Sequence, residues 1–310
     1  MKQNKAGPAM DNKFLHFSSK AMATEFVLCM HHRDAIYAGQ AAWEAFRLLE
    51  QIEAELSRYD PNSDIARLNA LALGEALPLG EHTFACLSQA NDLCAASRGA
   101  FDVTVGVLKD LWLPEFTIRG KIGRRIKALL MPTGMNHLHL SETGMTVRKD
   151  AMVQVDLGAI GKGYAVDRMV ERLQEWEIRN FLLHGGTSSV AARGHAPGRS
   201  GWPVTLHHPL NRVKVLAQFD LIDRAMGASG VEKGRHIIDP RTRKPATGTL
   251  AAWVTAPAAA VADAFSTAFM VMAHATALKC IANTSGIGLL LLSRTDDGRS
   301  VIRHNFPLES

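Results

Sequence analysis

The chain has 310 residues, 47% hydrophobic and 21% charged, and its 35 Lys and Arg against 30 Asp and Glu give a formal net charge of +5. That is the composition of a soluble globular protein, long enough for one large domain or two subdomains sharing an interface. The basic residues are scattered, without a long run or an aromatic-basic alternation, which excludes a nucleic-acid track; an acidic ligand such as a nucleotide suits the mild excess.

The first twenty residues read as a polar leader. They carry early lysines but neither the apolar core of a signal peptide nor a lipid-attachment cysteine, so the chain as it stands reads as cytoplasmic; a trimmed periplasmic protein would look the same. Thr24 to Met30 predicts a strand, and Ala35 to Leu56 an amphipathic helix with Trp43, Phe46, Leu49, Ile52 and Leu56 on one side. After the turn-rich RYDPNSDIARLNA comes a second helix, Thr83 to Ser97, closed by Gly99. The basic stretch Pro114 to Pro132 reads as a helix-loop insertion. Short strands then dominate, at His137 to Leu140, Met145 to Val147, Val153 to Val155, Phe181 to Leu183, Ser189 to Arg193, Val204 to His207, Val213 to Phe219 and Trp253 to Ala256. Helices at Gly163 to Trp176 and Val261 to Ala277 interrupt them. Strands and helices without strict alternation predict an α+β fold, mixed and largely antiparallel. Leu250 to Met272 is long and apolar, but Pro257 splits it and Asp263 sits within it, which predicts a strand and a buried helix rather than a membrane span. Cys29, Cys86, Cys94 and Cys280 show no metal spacing and read as small buried hydrophobes in a reducing compartment.

Chemistry concentrates in a few segments. In VQVDLGAIGKGYAVDRMVERL, Val153 to Leu173, a strand end runs through a turn with Gly158, Gly161 and Gly163 into a helix. Backbone N–H groups at such a helix start, with Lys162 beside them, favour an anion. The run lacks both the dinucleotide GxGxxG and the Ser or Thr that follows the lysine of a Walker loop, and its glycines also suit an ordinary tight turn. FLLHGGTSSVAARG places two glycines and three hydroxyls at a strand end. ASGVEKGRHIIDPRTRKP sets His236 and Asp239 around two β-branched residues, with alternation placing His236 and Ile238 on one face and Asp239 at the strand exit. In ADAFST, Asp263 and Thr267 stand one helical turn apart, so both oxygens can face one magnesium. Taken singly, each segment also has a plain structural reading, as a satisfied histidine, a helix cap or a chance pair.

Taken together and in this order, the segments AMATEFVL, LSRYDPNSDIARLN, GAFDVTVGVL, VDLGAIGKGYAVD, HGG, SG followed by HIIDPRT, and ADAFSTAF resemble the FAD:protein FMN transferase family, ApbE, through nearly the whole chain. The resemblance implies an ApbE-like, T-fold-like α+β domain over residues 21–310, either undivided or as two subdomains sharing the FAD site. It implies FAD as substrate and Mg2+ as cofactor, with FMN attached through a phosphoester to a Thr or Ser of an acceptor protein and AMP released. Carried onto matching positions, Asp263 and Thr267 are metal ligands, with the Gly161 carbonyl a third. Lys162 lies near the phosphates, His236 is the base that takes the proton of the attacking hydroxyl, and Asp239 shapes the same site. Met22, Tyr59, Asp156, the Gly185–Gly186 turn and Ser229 line the FAD pocket. The alternatives are an FAD pyrophosphatase that gives FMN and AMP with water, and a flavin-binding protein that has lost transfer.

Three departures from the family pattern stand out, and the first two bear on the flavin side of the pocket. Thr187 follows the double glycine where an acidic or amide residue is usual. Only Val231 to Arg235 separate SG from HIIDP, where a longer loop with an aromatic residue is usual, and Arg243 stands where a glycine usually follows DPRT.

Overall fold

A β-hairpin opens the fold, with strands β1 (Leu15–Ala21) and β2 (Thr24–Met30) paired in antiparallel register. The computed structural model describes residues 14–112, 130–234, 236–282, 284–295 and 298–307. The leader expected over residues 1–20 therefore does not run to its end as a leader. Leu15, Phe17 and Ser19 alternate with exposed neighbours and lie half-buried on one face, which makes Leu15–Ala21 a sheet edge. Met22 and Ala23 turn the hairpin with φ of 51° and 56°. Two left-handed residues in succession match the twist of a two-residue hairpin, usually at the expense of an Asn or Gly; here neither residue is one, and the Met22 N–H is held by Glu53 Oε1.

Helix α1 (Ala35–Leu56) has the expected bounds, with Asp34 Oδ1 accepting from the N–H groups of Ile36 and Tyr37 at 3.0 Å each. Of the expected face Leu49, Ile52 and Leu56 are buried and Phe46 packs on the core, and only Trp43 points away. Ala38, Ala41, Ala42 and Ala45 are buried with Leu48, Leu49, Ile52 and Leu56, while Trp43 is 61% exposed beneath the Arg47 guanidinium. The alanines allow a close approach that an indole would block. Within the segment read as turn, Ser63 caps a short helix α2 (Asp64–Ala70) by accepting from Ala66 N–H. Strand β3 (Ala76–Pro78) precedes α3 (Glu81–Ala96), which ends as expected at a left-handed Gly99 whose N–H returns to the Cys94 carbonyl. A short α4 (Gly106–Leu111) follows, and the insertion expected from Pro114 lies outside the described residues up to 129.

Strands β4 (Leu138–Ser141) and β5 (Thr146–Lys149) form a small sheet with β3. The strand expected at Val153 to Val155 is absent apart from one parallel bridge between Gln154 and Val105. The Asn69 side chain takes the place of a ladder there, accepting from Val155 N–H at 2.7 Å and donating to its carbonyl at 3.0 Å.

Helix α5 (Gly161–Glu175) leads to β6 (Phe181–Gly185), β7 (Ser189–Arg193), the long hairpin β8 (Trp202–His208) and β9 (Asn211–Leu221), and β10 (Ala225–Gly230). A two-residue pair, β11 (Ile238–Asp239) and β12 (Lys244–Pro245), precedes β13 (Thr249–Ala256), α6 (Ala259–Val271), α7 (His274–Ala282), β14 (Gly288–Thr295) and β15 (Gly298–His304). The single helix expected from Val261 to Ala277 is thus two. Arg241 Nη2 donates to the Val271 carbonyl at 2.8 Å, and Met272 turns to extended backbone at the break.

The main sheet has eight strands, all antiparallel, in the order β1-β2-β6-β7-β10-β13-β14-β15. Alternate residues of its central strands point to two apolar layers. Leu183, Ala191, Ala225, Ala252 and Leu291 face the helices, and Leu182, Ala192, Met226, Trp253 and Leu290 face the β8–β9 hairpin with Trp202 and Phe219. With both faces covered, β13 is buried throughout, which is why it reads as an unbroken apolar run.

Candidate active site

The glycine turn at the end of the Val153 segment starts α5, with Gly161 N–H bonded to the Leu157 carbonyl at 2.7 Å and half-buried Lys162 placing Nζ 3.3 Å from the Gly158 carbonyl. Its first turn packs directly on the start of α6. Gly163 makes that contact by having no side chain, since a Cβ there would stand 2.4 Å from the Ala259 carbonyl oxygen. Gly163→Ala is expected to force the two helices apart and cost about 1–3 kcal/mol, read as a lower denaturation midpoint. An unchanged midpoint would mean that they do not meet there.

The same small-residue logic seats α6 on the sheet. A Cβ on Gly227 of β10 would lie 2.4 Å from the Ala262 carbonyl, so the strand meets the helix backbone at the residue before Asp263. Two positions on and on the same strand face, Ser229 Oγ lies 2.8 Å from Ser266 Oγ and 3.1 Å from Thr267 Oγ1.

Asp263 lies at the centre of this packing, 5% exposed. Its Oδ2 accepts from Ser189 Oγ at 2.6 Å, while Oδ1 is buried without a hydrogen-bond partner among the described residues. Burial pushes its carboxyl up to about 7, and Asp167 adds to that rise; Lys162, the Ser189 hydroxyl and the Gly163 N–H favour the charged form without restoring the usual value. A buried carboxylate oxygen with no donor, a threonine hydroxyl one turn away and the Gly161 carbonyl at the facing helix start are hard oxygen donors suited to Mg2+. Among the described residues no group of three or more His, Cys, Asp or Glu is arranged to hold a metal. A magnesium held by one carboxylate together with substrate phosphates needs no such group.

Other expected site residues fall into place less uniformly. Met22 lies in the strained hairpin, beside a cavity of about 440 Å3 lined by Lys20, Ala21, Ala23, Thr24, Glu25 and Glu53. The Gly185–Gly186 turn adjoins it: Gly186 has φ of 65°, donates its N–H to the Glu25 carbonyl and leaves no room for a Cβ against Thr24. Thr187 is exposed at that turn. Tyr59 is 80% exposed, with the Arg58 guanidinium 5.4 Å from its ring centre. His236 is half-buried, its Nδ1 3.2 Å from the Gly234 carbonyl, and a 3-10 turn at Val231–Lys233 lies in the shortened loop before it.

Two carboxylates are engaged elsewhere. Asp239, expected to shape the site beside His236, has both oxygens taken by Arg241, at 2.9 and 3.1 Å, and that arginine ties the turn to the end of α6. Nor does the alternation expected of His236 and Ile238 hold, because Ile237 and Ile238 are both buried. Asp156, expected to line the FAD pocket, lies buried in a charge cluster: Arg58 Nη1 at 2.7 Å, Lys109 Nζ at 2.9 and 3.0 Å, and the Gly158 N–H at 2.8 Å. Burial alone would raise its pKa, but Lys109 and Arg58 bring it below the ordinary carboxylate value. Arg243 has φ of 61°, the backbone state in which a glycine costs nothing, and its guanidinium donates to the Met131 carbonyl.

Sequence reasoning assigned no role to Ser189 or Asp167, each of which touches the α6 machinery. Asp167 had a visible signal, since Pro257, Ala258, Ala259 and Ala260 offer the following helix no capping side chain.

The antiparallel sheet carries the Asp263–Thr267 helix against a lysine-bearing helix start, and solved structures that share this fold are flavin transferases. The described fold superposes on the flavin transferase ApbE from Vibrio cholerae with a TM-score of 0.83 at 26% identity, covering 94% of this chain and 97% of that one. The ApbE protein from Thermotoga maritima gives 0.83 at 25% identity, over 96% and 100%. The chain belongs to the ApbE family, whose model matches residues 22–291. Among its relatives, the FAD:protein FMN transferase of Vibrio cholerae is 27% identical over 300 residues, 92% of this chain and 89% of that protein. The Chlamydia trachomatis protein of the same name is 29% identical over 244 residues, 74% and 75% of the two chains.

Proposed function

We propose that this protein transfers FMN from FAD to a Thr or Ser hydroxyl of an acceptor protein and releases AMP, with Mg2+ as cofactor. The observation that carries the reading is the buried Oδ1 of Asp263, without a hydrogen-bond partner among the described residues, set beside Thr267 and facing the Lys162 turn. Asp263, Thr267 and the Gly161 carbonyl would hold the metal, which when bound withdraws charge from the pyrophosphate oxygens. Lys162 adds a fixed positive charge on the same side, where negative charge grows as the bond breaks. The acceptor oxygen attacks the phosphorus of the FMN half, the P–O bond to AMP breaks, and the hydroxyl proton passes to His236. A hydroxyl is a poor nucleophile at neutral pH, and an imidazole titrates in the right range to accept that proton. The hairpin at Met22 and the Gly185–Gly186 turn form the wall against which FAD lies, and backbone rather than side chains lines that wall at Gly186.

Purified protein given FAD, Mg2+ and a flavin-accepting domain should yield equal amounts of AMP and of acceptor carrying covalent FMN, and neither product when the metal is chelated. Free FMN and AMP in the absence of any acceptor would identify a hydrolase, and no product with several acceptors would rule against transfer.

A further inference from the structure

Helix α6, on which the Asp263–Thr267 pair rides, starts without a cap of its own. Ala258 has the extended backbone of an N-cap residue, φ −123° and ψ 145°, but no side-chain oxygen. The two N–H groups that follow are taken instead by a residue of another helix: Ala259 N–H reaches Asp167 Oδ1 at 2.6 Å, and Ala260 N–H reaches Oδ2 at 2.9 Å. Asp167 lies five residues beyond Lys162 on α5 and is 9% exposed. Between Lys162 and Asp167, Gly163 touches the backbone of Ala259 and Ala260, and its N–H favours the charged form of Asp263.

A serine or aspartate at the half-buried position 258 would cap α6 locally, so the buried carboxylate on α5 is a costlier way to satisfy the same two donors. Burial indeed pushes Asp167 up to about 6 in spite of both N–H groups. What a carboxylate on α5 provides, and a local cap cannot, is a fixed distance between the two helix starts. We infer that Asp167 is a positioning residue for the transfer reaction, holding the Asp263–Thr267 pair of α6 in register with the Gly161–Lys162 turn of α5 so that one metal-bound pyrophosphate can meet both. This inference rests on the metal site proposed above.

The test separates capping from positioning. Mn2+ binding is measured by titration in the presence of FAD and without acceptor, alongside melting temperature, kcat and KM. Loss of Mn2+ binding in Asp263→Ala confirms the metal reading on its own, and its retention removes that reading and the inference with it. Asp167→Ala is expected to weaken Mn2+ binding at least tenfold and lower kcat at least tenfold, with KM for the acceptor unchanged. Adding Ala258→Ser to that variant should return the melting temperature but neither Mn2+ affinity nor kcat. Recovery of all three would show Asp167 to be a cap and nothing more. If Asp167→Ala does not fold, Asp167→Asn, which keeps one acceptor, should shift Mn2+ affinity and kcat in the same direction; wild-type values in it would overturn the inference.

Discussion

Asp263→Asn should give a protein that melts higher than the wild type in the absence of metal and turns over at least a hundredfold more slowly. Both effects have one cause. The wild-type carboxylate is buried with one oxygen unpartnered, and its pKa is pushed up from 3.8 to about 7. A carboxyl whose folded pKa lies above its unfolded one makes the native state the better proton binder between those values, so stability falls as pH rises from 4 to 7 and the penalty is complete above 7. At pH 8 it is on the order of 2–4 kcal/mol, and a neutral amide of the same shape escapes it. The gap between variant and wild type should therefore be small at pH 4, open through pH 7 and stay level beyond. Saturating Mg2+ should close it by stabilising the wild type alone. Melting curves at pH 4, 6 and 8, with and without Mg2+, read all of this. A variant less stable than the wild type at pH 8 without metal, or one that keeps its turnover, would remove Asp263 from the metal site.

The second large effect has the opposite sign with pH. Asp156→Ala should cost about 3–5 kcal/mol at neutral pH, because it leaves Lys109 and one arm of Arg58 without their buried counter-charge while Asp110 holds only the other arm. Here the folded pKa is depressed, so the wild-type contribution is present above about 4 and is lost as pH falls through the folded value. The difference between the two proteins should thus shrink on acidification. Urea midpoints at pH 7 and pH 3 measure it, and a neutral-pH difference below about 1 kcal/mol would mean that the cluster is a solvated surface network.

The two aspartates show what the sequence discloses and what it withholds. The placement of Asp263 beside Thr267 is legible because the two are four residues apart on one helix, a spacing that can be read from a string. Asp156 sits in an equally recognisable motif, yet its neighbours come from positions 58 and 109, and nothing local distinguishes a pocket wall from the centre of an ion cluster. Strand boundaries follow the same rule. Thr24–Met30 and Ser189–Arg193 emerge as expected from their β-forming residues. The strand Ala225–Gly230, AMGASG, carries few of the usual signals, because the residues on its helix side, Ala225, Gly227 and Ser229, are small where the helix lies on it. Trp43 departs for the converse reason: a large apolar residue suggests a buried position, but the N-terminal half of α1 packs through its alanines.

The borrowed cap on α6 also bears on how the chain folds. A helix of thirteen residues with an open first turn is marginal by itself, and the residue that closes it lies 92 positions upstream. Asp167 leaves the ribosome well before Ala259, so α5 can already be docked when α6 emerges. The contact then spans a long loop whose entropy must be spent before the cap forms, which places completion of the Asp263 helix late in folding. A fragment from Thr249 onward, which contains both Asp263 and Thr267, lacks the carboxylate that finishes their helix.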